Sequence, residues 1–190
     1  VEGGYLYDFH YPCKKDGKLA AQVAFNIMLA HARAVNVYRE MGLPGEIGVV
    51  LNLTPSYTRS DSEADKKAAW YADLLFNRSF LDPLVKHEFP KELCEILTAN
   101  GCLPEVSRQD VETILQSRID FLGVNYYVPR RVKARESVYA LDYFTPEVYF
   151  ENYIDPQGRF NPYRDNNEIH PEAIYDIACN IRDNYGNIKW

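Results

Sequence analysis

The stretch Asp120-Phe121-Leu122-Gly123-Val124-Asn125-Tyr126-Tyr127 constrains this chain more than any other. An apolar run of strand length and β-rich composition passes straight into three hydrogen-bonding side chains. That pattern predicts a parallel strand covered on both faces, whose end opens into a site. Ile47-Gly48-Val49-Val50-Leu51-Asn52-Leu53 is a second, nearly continuous apolar run, and Thr54-Pro55 closes it. Its one polar member, Asn52, needs a hydrogen-bond partner if it points inward.

Helical periodicity lies around and between these runs. From Leu19 to Met41, residues Ala20, Val23, Ala24, Ile27, His31, Ala34, Val35 and Tyr38 recur at three- and four-residue steps and predict one apolar face, ended by Gly42 and Pro44. His31 on that face reads as a core histidine with satisfied ring nitrogens. Ser60 and Glu63 have capping-box spacing ahead of a helix running through Trp70, Leu74 and Leu75 to about Asn77. A short helix is expected over Lys91 to Ala99 and a capped turn over Ser107 to Leu115. Pro171 opens a last helix carrying Ile174, Ile177, Ala178 and Ile181, and Gly186 suits its C-cap. Asn187 to Trp190 reads as the start of a further strand. Val1 to Gly17 reads as a loop, and Pro129 to Pro162 as a long Tyr- and Pro-rich excursion without a period.

This alternation implies parallel strands with right-handed crossovers, hence an α/β class. No internal repeat or low-complexity linker divides the chain, so residues 1–190 are expected to form one unit. Periodicity alone leaves a barrel and an open doubly wound sheet both standing.

Charge narrows the partners. With 21 Lys and Arg against 27 Asp and Glu, the net charge is -6, which argues against a nucleic-acid partner. The one basic cluster, Arg130-Arg131-Val132-Lys133-Ala134-Arg135, reads as a solvated loop, with an anionic ligand as the alternative. No apolar run approaches the roughly 20 residues of a membrane span, and Val1-Glu2-Gly3-Gly4 lacks signal-peptide features, so the cytoplasm is expected. Cys13, Cys94, Cys102 and Cys179 have no metal-ligand spacing and read as reduced thiols.

The central stretch resembles the sixth barrel strand of the family 1 glycoside hydrolases, the β-glucosidases and 6-phospho-β-glucosidases, in its Asp-Phe-Leu-Gly-x-Asn-Tyr-Tyr pattern. Asn77 to Leu84, with Phe80-Leu81-Asp82-Pro83, then Phe89-Pro90 and Leu103-Pro104, extends the likeness over most of the chain. The resemblance implies a partial (β/α)8 barrel, running from after strand four to the start of strand seven. It also implies a retaining β-glycosidase that needs no cofactor or metal. Asn125 would bond the sugar and Tyr127 would orient the catalytic nucleophile, both in supporting roles. Tyr5, Phe9 and His10 would sit in a loop shaping the leaving-group side of the cleft.

Retaining glycosidases use two carboxyl groups about 5–5.5 Å apart. The family pattern places the acid/base glutamate just before Val1, in an Asn-Glu-Pro context that Val1-Glu2-Gly3 does not match, and the nucleophile just after Trp190. This chain alone is therefore expected to be inactive and to self-associate through exposed sheet edges. The segments from Tyr153 to Ile188 are most similar to the bacterial 6-phospho-β-glycosidase branch, implying a phosphorylated small-molecule β-glycoside as substrate. Asn166-Asn167 departs from the Gly-Trp usual before Glu-Ile in that family. The competing reading is a non-catalytic carbohydrate-binding or interaction module, suggested by fifteen tyrosines and the missing carboxylates; some other barrel enzyme is a third.

Overall fold

The computed structural model describes residues 1–164 and 167–190. Its elements in chain order are α1 (Glu2–Tyr5), α2 (Gly17–Glu40), β1 (Gly48–Asn52), β2 (Ser56–Thr58), α3 (Glu63–Asp73), α4 (Ser79–Leu81), α5 (Lys91–Ala99), α6 (Arg108–Gln116), β3 (Phe121–Asn125), β4 (Arg130–Lys133), β5 (Glu151–Asn152) and α7 (Glu172–Asn184). The class is mixed α/β. Two compact units emerge: Val1–Val49, Ser79–Asp120 and Ala140–Thr145 form the first, and Val50–Arg78, Phe121–Tyr139 and Pro146–Trp190 form the second.

In the first unit the opening loop contains one short helix, α1. Gly3 and Gly4 permit the return of the chain over it, because a Cβ at Gly3 would lie 2.6 Å from the His10 ring and one at Gly4 2.8 Å from the Tyr11 carbonyl. Asp16 caps α2 by accepting from the Leu19 N–H at 2.9 Å. The buried stripe of α2 is Ala20, Phe25, Met28, Ala32 and Val35, whereas Ile27 and Ala34 are exposed. The expected face is thus rotated. Much of the helix circumference is apolar, so periodicity alone allowed more than one stripe. Packing on α6, edged by an Arg33–Asp110 ion pair at 2.9 Å, selects this one. His31 is half-buried, and its Nε2 has no partner among the described residues, contrary to the expected satisfied ring. Burial lowers its pKa.

The second unit contains two small sheets. β1 neighbours β3, and β2, β4 and β5 form a three-stranded sheet in that order. β2 runs parallel to β4, and β5 runs antiparallel to it. The expectation of two complete strands and the start of a third therefore undercounts the strands. β2, β4 and β5 are short and charged or aromatic, so they carry no apolar alternation. α3 covers this sheet through Ala68 and Ala72, which with Phe76 just beyond the helix pack against Val132 and Phe150. The N-cap of α3 is Ser62, which accepts from the Asp65 N–H at 3.1 Å. Ser60, the expected cap, instead donates to the Asp65 carboxylate at 2.7 Å.

The chain leaves α3 through a wide π-type turn, Leu74–Arg78. A second such turn, Asp82–Lys86, follows α4 in the first unit. β1 is not covered on both faces as its composition implied: Val50 is 61% exposed. Asn187 to Trp190 does not form a strand, although the Lys189 carbonyl accepts from the Leu122 N–H at 2.9 Å.

The basic cluster is neither a solvated loop nor an open anion site. Arg131 forms a two-point pair with Glu168, at 3.0 and 2.6 Å, and Lys133 pairs with Glu136 and Glu151. Arg135 donates to the Glu147 carbonyl at 2.6 Å, and the Arg130 guanidinium lies 3.5 Å from the Phe76 ring centroid. Asn166, part of the Asn166-Asn167 departure, lies outside the described residues. Among the described residues no helix is long and apolar enough to cross a membrane.

Candidate active site

β3 positions the residues singled out by sequence. Its alternation buries Leu122 completely and delivers Asn125 and Tyr127 to the surface at its C-terminal end. Backbone bonds hold both edges of the strand: the Asn125 carbonyl accepts from the Leu53 N–H at 2.9 Å, and the Leu122 N–H donates to Lys189. Gly123 permits this approach, since a Cβ there would lie 2.8 Å from a Val50 methyl. The Asn125 amide donates to the Asn52 side-chain oxygen at 3.1 Å. Asn52, flagged as a polar residue in need of a partner, has found one at the tip of the adjacent strand.

Beyond the strand tip lies an open cavity of about 300 Å³, lined by Val124, Asn125, Tyr126, Tyr127, Ile174, Ile177 and Trp190. Tyr127 is 69% exposed and its hydroxyl has no partner among the described residues. Tyr126 is anchored: its hydroxyl donates to the His170 carbonyl at 2.8 Å, tying the strand tip to the entry of α7. Burial, with the Glu168 carboxylate adding to it, pushes the Tyr126 phenol up to about 12. Behind it, the Tyr57 hydroxyl donates to the Asp176 carboxylate at 2.5 Å, while the Tyr57 ring meets His170 edge-on at 4.9 Å. Burial and that hydrogen bond raise the Tyr57 pKa.

The lining combines one amide and two phenols with a valine, two isoleucines and an indole. Such a wall binds a polyhydroxylated ring well, with polar groups for hydroxyls and apolar faces for C–H edges. None of the seven lining residues is a carboxylate, so the cavity as lined offers hydrogen-bonding and apolar contacts but no acid/base pair of its own. Among the described residues no group of three or more His, Cys, Asp and Glu could hold a metal ion.

Sequence reasoning thus brings Asn125 and Tyr127 to one cavity. Tyr5, Phe9 and His10 lie in the first unit and are not among its lining residues; Phe9 is 65% exposed, with its ring 4.7 Å from that of His10. Glu2 opens α1 and is exposed. Trp190, Ile174 and Ile177 were missed as lining, because 49 to 65 residues separate them from Asn125 and only the tertiary fold brings them close.

The full chain, residues 1–190, matches the family model described as Glycosyl hydrolase family 1. It is 54% identical over 190 residues to the 6-phospho-beta-glucosidase GmuD of Bacillus subtilis, covering 100% of this chain and 41% of that protein. It is 33% identical to the 6-phospho-beta-galactosidase of Clostridium acetobutylicum over 100% of this chain and 43% of that protein. Among solved structures, the family 1 β-glucosidase of Thermotoga maritima superposes with a TM-score of 0.81 at 31% identity, covering 98% of this chain and 39% of that one. The chain spans about two fifths of the length of the curated relatives it matches. It belongs to glycosyl hydrolase family 1.

Proposed function

We propose that this chain is the central stretch of a retaining β-glycosidase, from after strand four to the start of strand seven of a (β/α)8 barrel, and that the whole enzyme cleaves 6-phospho-β-glucosides. Both compact units then belong to one catalytic barrel domain, placed in the cytoplasm where phosphorylated sugars are handled. The observation that carries the reading is the pairing of Asn125 and Tyr127 at the tip of β3, facing one open cavity. The substrate class is supported by the 54% identity to a Bacillus subtilis 6-phospho-beta-glucosidase.

In this mechanism one carboxyl group protonates the glycosidic oxygen while a second attacks the anomeric carbon, and water then releases the glycosyl group. Both groups come from glutamates flanking the chain. Asn125 holds a sugar hydroxyl through its amide. Tyr127, with an exposed hydroxyl at the same tip, donates to the nucleophile carboxylate and fixes its orientation and charge. No cofactor is needed. The chain by itself does not turn over.

The test compares release of p-nitrophenol from the β-glucoside and its 6-phosphate by this chain and by a full-length form, extended through both flanking glutamates to the complete barrel. Turnover by the extended form only, with preference for the phosphate, is the expected result. Hydrolysis by residues 1–190 alone would place the catalytic carboxylates within them and overturn the assignment.

A further inference from the structure

We infer that Asn77 is a positioning residue for the sugar-binding tip, acting through β1 on Asn125; this rests on the function proposed above. Asn77 is 5% exposed and sits in the wide turn Leu74–Arg78 that leaves α3. A buried amide must satisfy its donors and acceptor. Asn77 does so on one residue's backbone and one side chain. Its oxygen accepts from the Thr54 N–H at 3.0 Å, and its nitrogen donates to the Thr54 carbonyl at 3.0 Å and to Asp73 at 2.8 Å.

That pair of bonds is what an adjacent strand would supply. Successive backbone groups of a strand point to opposite edges. At the end of β1 the Leu53 N–H faces β3, bonding the Asn125 carbonyl, and the next residue, Thr54, turns both of its groups to the other edge, where the Asn77 amide receives them. The tip is therefore clamped from two sides by two asparagines. Asn52, two residues before Thr54, accepts from the Asn125 amide at 3.1 Å. The route from Asn77 to the sugar-binding amide is Thr54, Asn52, Asn125.

The wide turn is the means. It interrupts the regular helix at Leu74–Arg78, where π-type geometry replaces the ladder spacing of an α-helix, and Asn77 faces the end of β1 from there. Such turns recur at functional sites. Asp73, one turn earlier, holds the amide nitrogen and thereby fixes which way round the amide faces Thr54.

The test is a double-mutant cycle in the full-length form, extended through both flanking glutamates to the complete barrel. Asn77→Leu keeps the side-chain bulk and removes the clamp. In the otherwise unchanged enzyme kcat is expected to fall about tenfold, with KM changed less, because a misplaced binding group costs more in the transition state. In an Asn52→Ala background, where the side-chain link to the Asn125 amide is already cut and only the Leu53–Asn125 backbone bond remains, the same substitution is expected to lower kcat by less than about twofold. Equal losses in the two backgrounds, or no loss in either, would overturn the inference. If Asn77→Leu aggregates, Asp73→Ala, which leaves the amide but removes its second anchor, is measured in the same two backgrounds with the same expectation. An extended enzyme inactive on both glucosides before any substitution would instead overturn the proposed function.

Discussion

Tyr127 carries a hydroxyl that packing does not need. It is 69% exposed and makes no hydrogen bond among the described residues, so removing its oxygen leaves folding almost untouched. In the extended enzyme Tyr127→Phe is expected to lower kcat by at least about tenfold while Tm moves by no more than about 2 °C. Unchanged kcat would remove it from the machinery. Gly123 is the opposite case, with no side chain to join the chemistry but fixed by space. A Cβ there would sit 2.8 Å from a Val50 methyl, so Gly123→Ala is expected to destabilise by about 1–3 kcal/mol in chemical denaturation. Val50→Ala in the same molecule removes the clashing methyl and is expected to restore most of that loss.

Charges hold the periodless excursion, Pro129 to Pro162, to the segment that follows it. Arg131 and Glu168 form a two-point ion pair, with side chains 16% and 7% exposed, that fastens β4 to the segment leading into α7. Glu168→Ala leaves a guanidinium largely buried without its main partner, and urea denaturation is expected to show a loss of about 3–5 kcal/mol. Glu151 on β5 gives a pH signature. The Ser137 hydroxyl and N–H, then Lys133 and the Glu136 N–H, hold its carboxyl down from the ordinary glutamate value of 4.5 to about 2. A depressed folded-state value means the contribution is complete above about pH 4.5 and is lost as pH falls toward about 2. The stability difference between the parent and Glu151→Gln, followed by thermal melts, should therefore be constant above pH 4.5 and shrink across that window; a difference independent of pH from 2 to 5 would exclude this role. Strands of this kind escape pattern reading because their stability lies in ion pairs between residues such as Arg131 and Glu168, 37 positions apart.

At the scale of the whole molecule, β1 turns Val50, 61% exposed, and Asn52 to solvent on one face. We expect residues 1–190 alone to self-associate, seen as a mass that rises with concentration in light scattering, whereas a full-length form that closes the barrel is monodisperse and unfolds in one sharp transition. A monodisperse 22.0 kDa chain with one sharp transition would contradict this. What the sequence determined by itself was local. The apolar runs ending in Asn52 and in Asn125 to Tyr127 were legible because a strand buried on one or both sides must be apolar and its tip need not be. α5 and α7 were legible because caps, prolines and apolar spacing act within a few residues; at α6 only the Ser107 cap was legible, and the expected turn is a nine-residue helix, Arg108–Gln116. Only the tertiary structure decided which stripe of α2 is buried, that Ser62 and not Ser60 caps α3, and that the basic run of β4 is neutralised internally. It alone brought Trp190 and Ile174 to the cavity beside Asn125, because those choices depend on groups far apart along the chain competing for the same contacts.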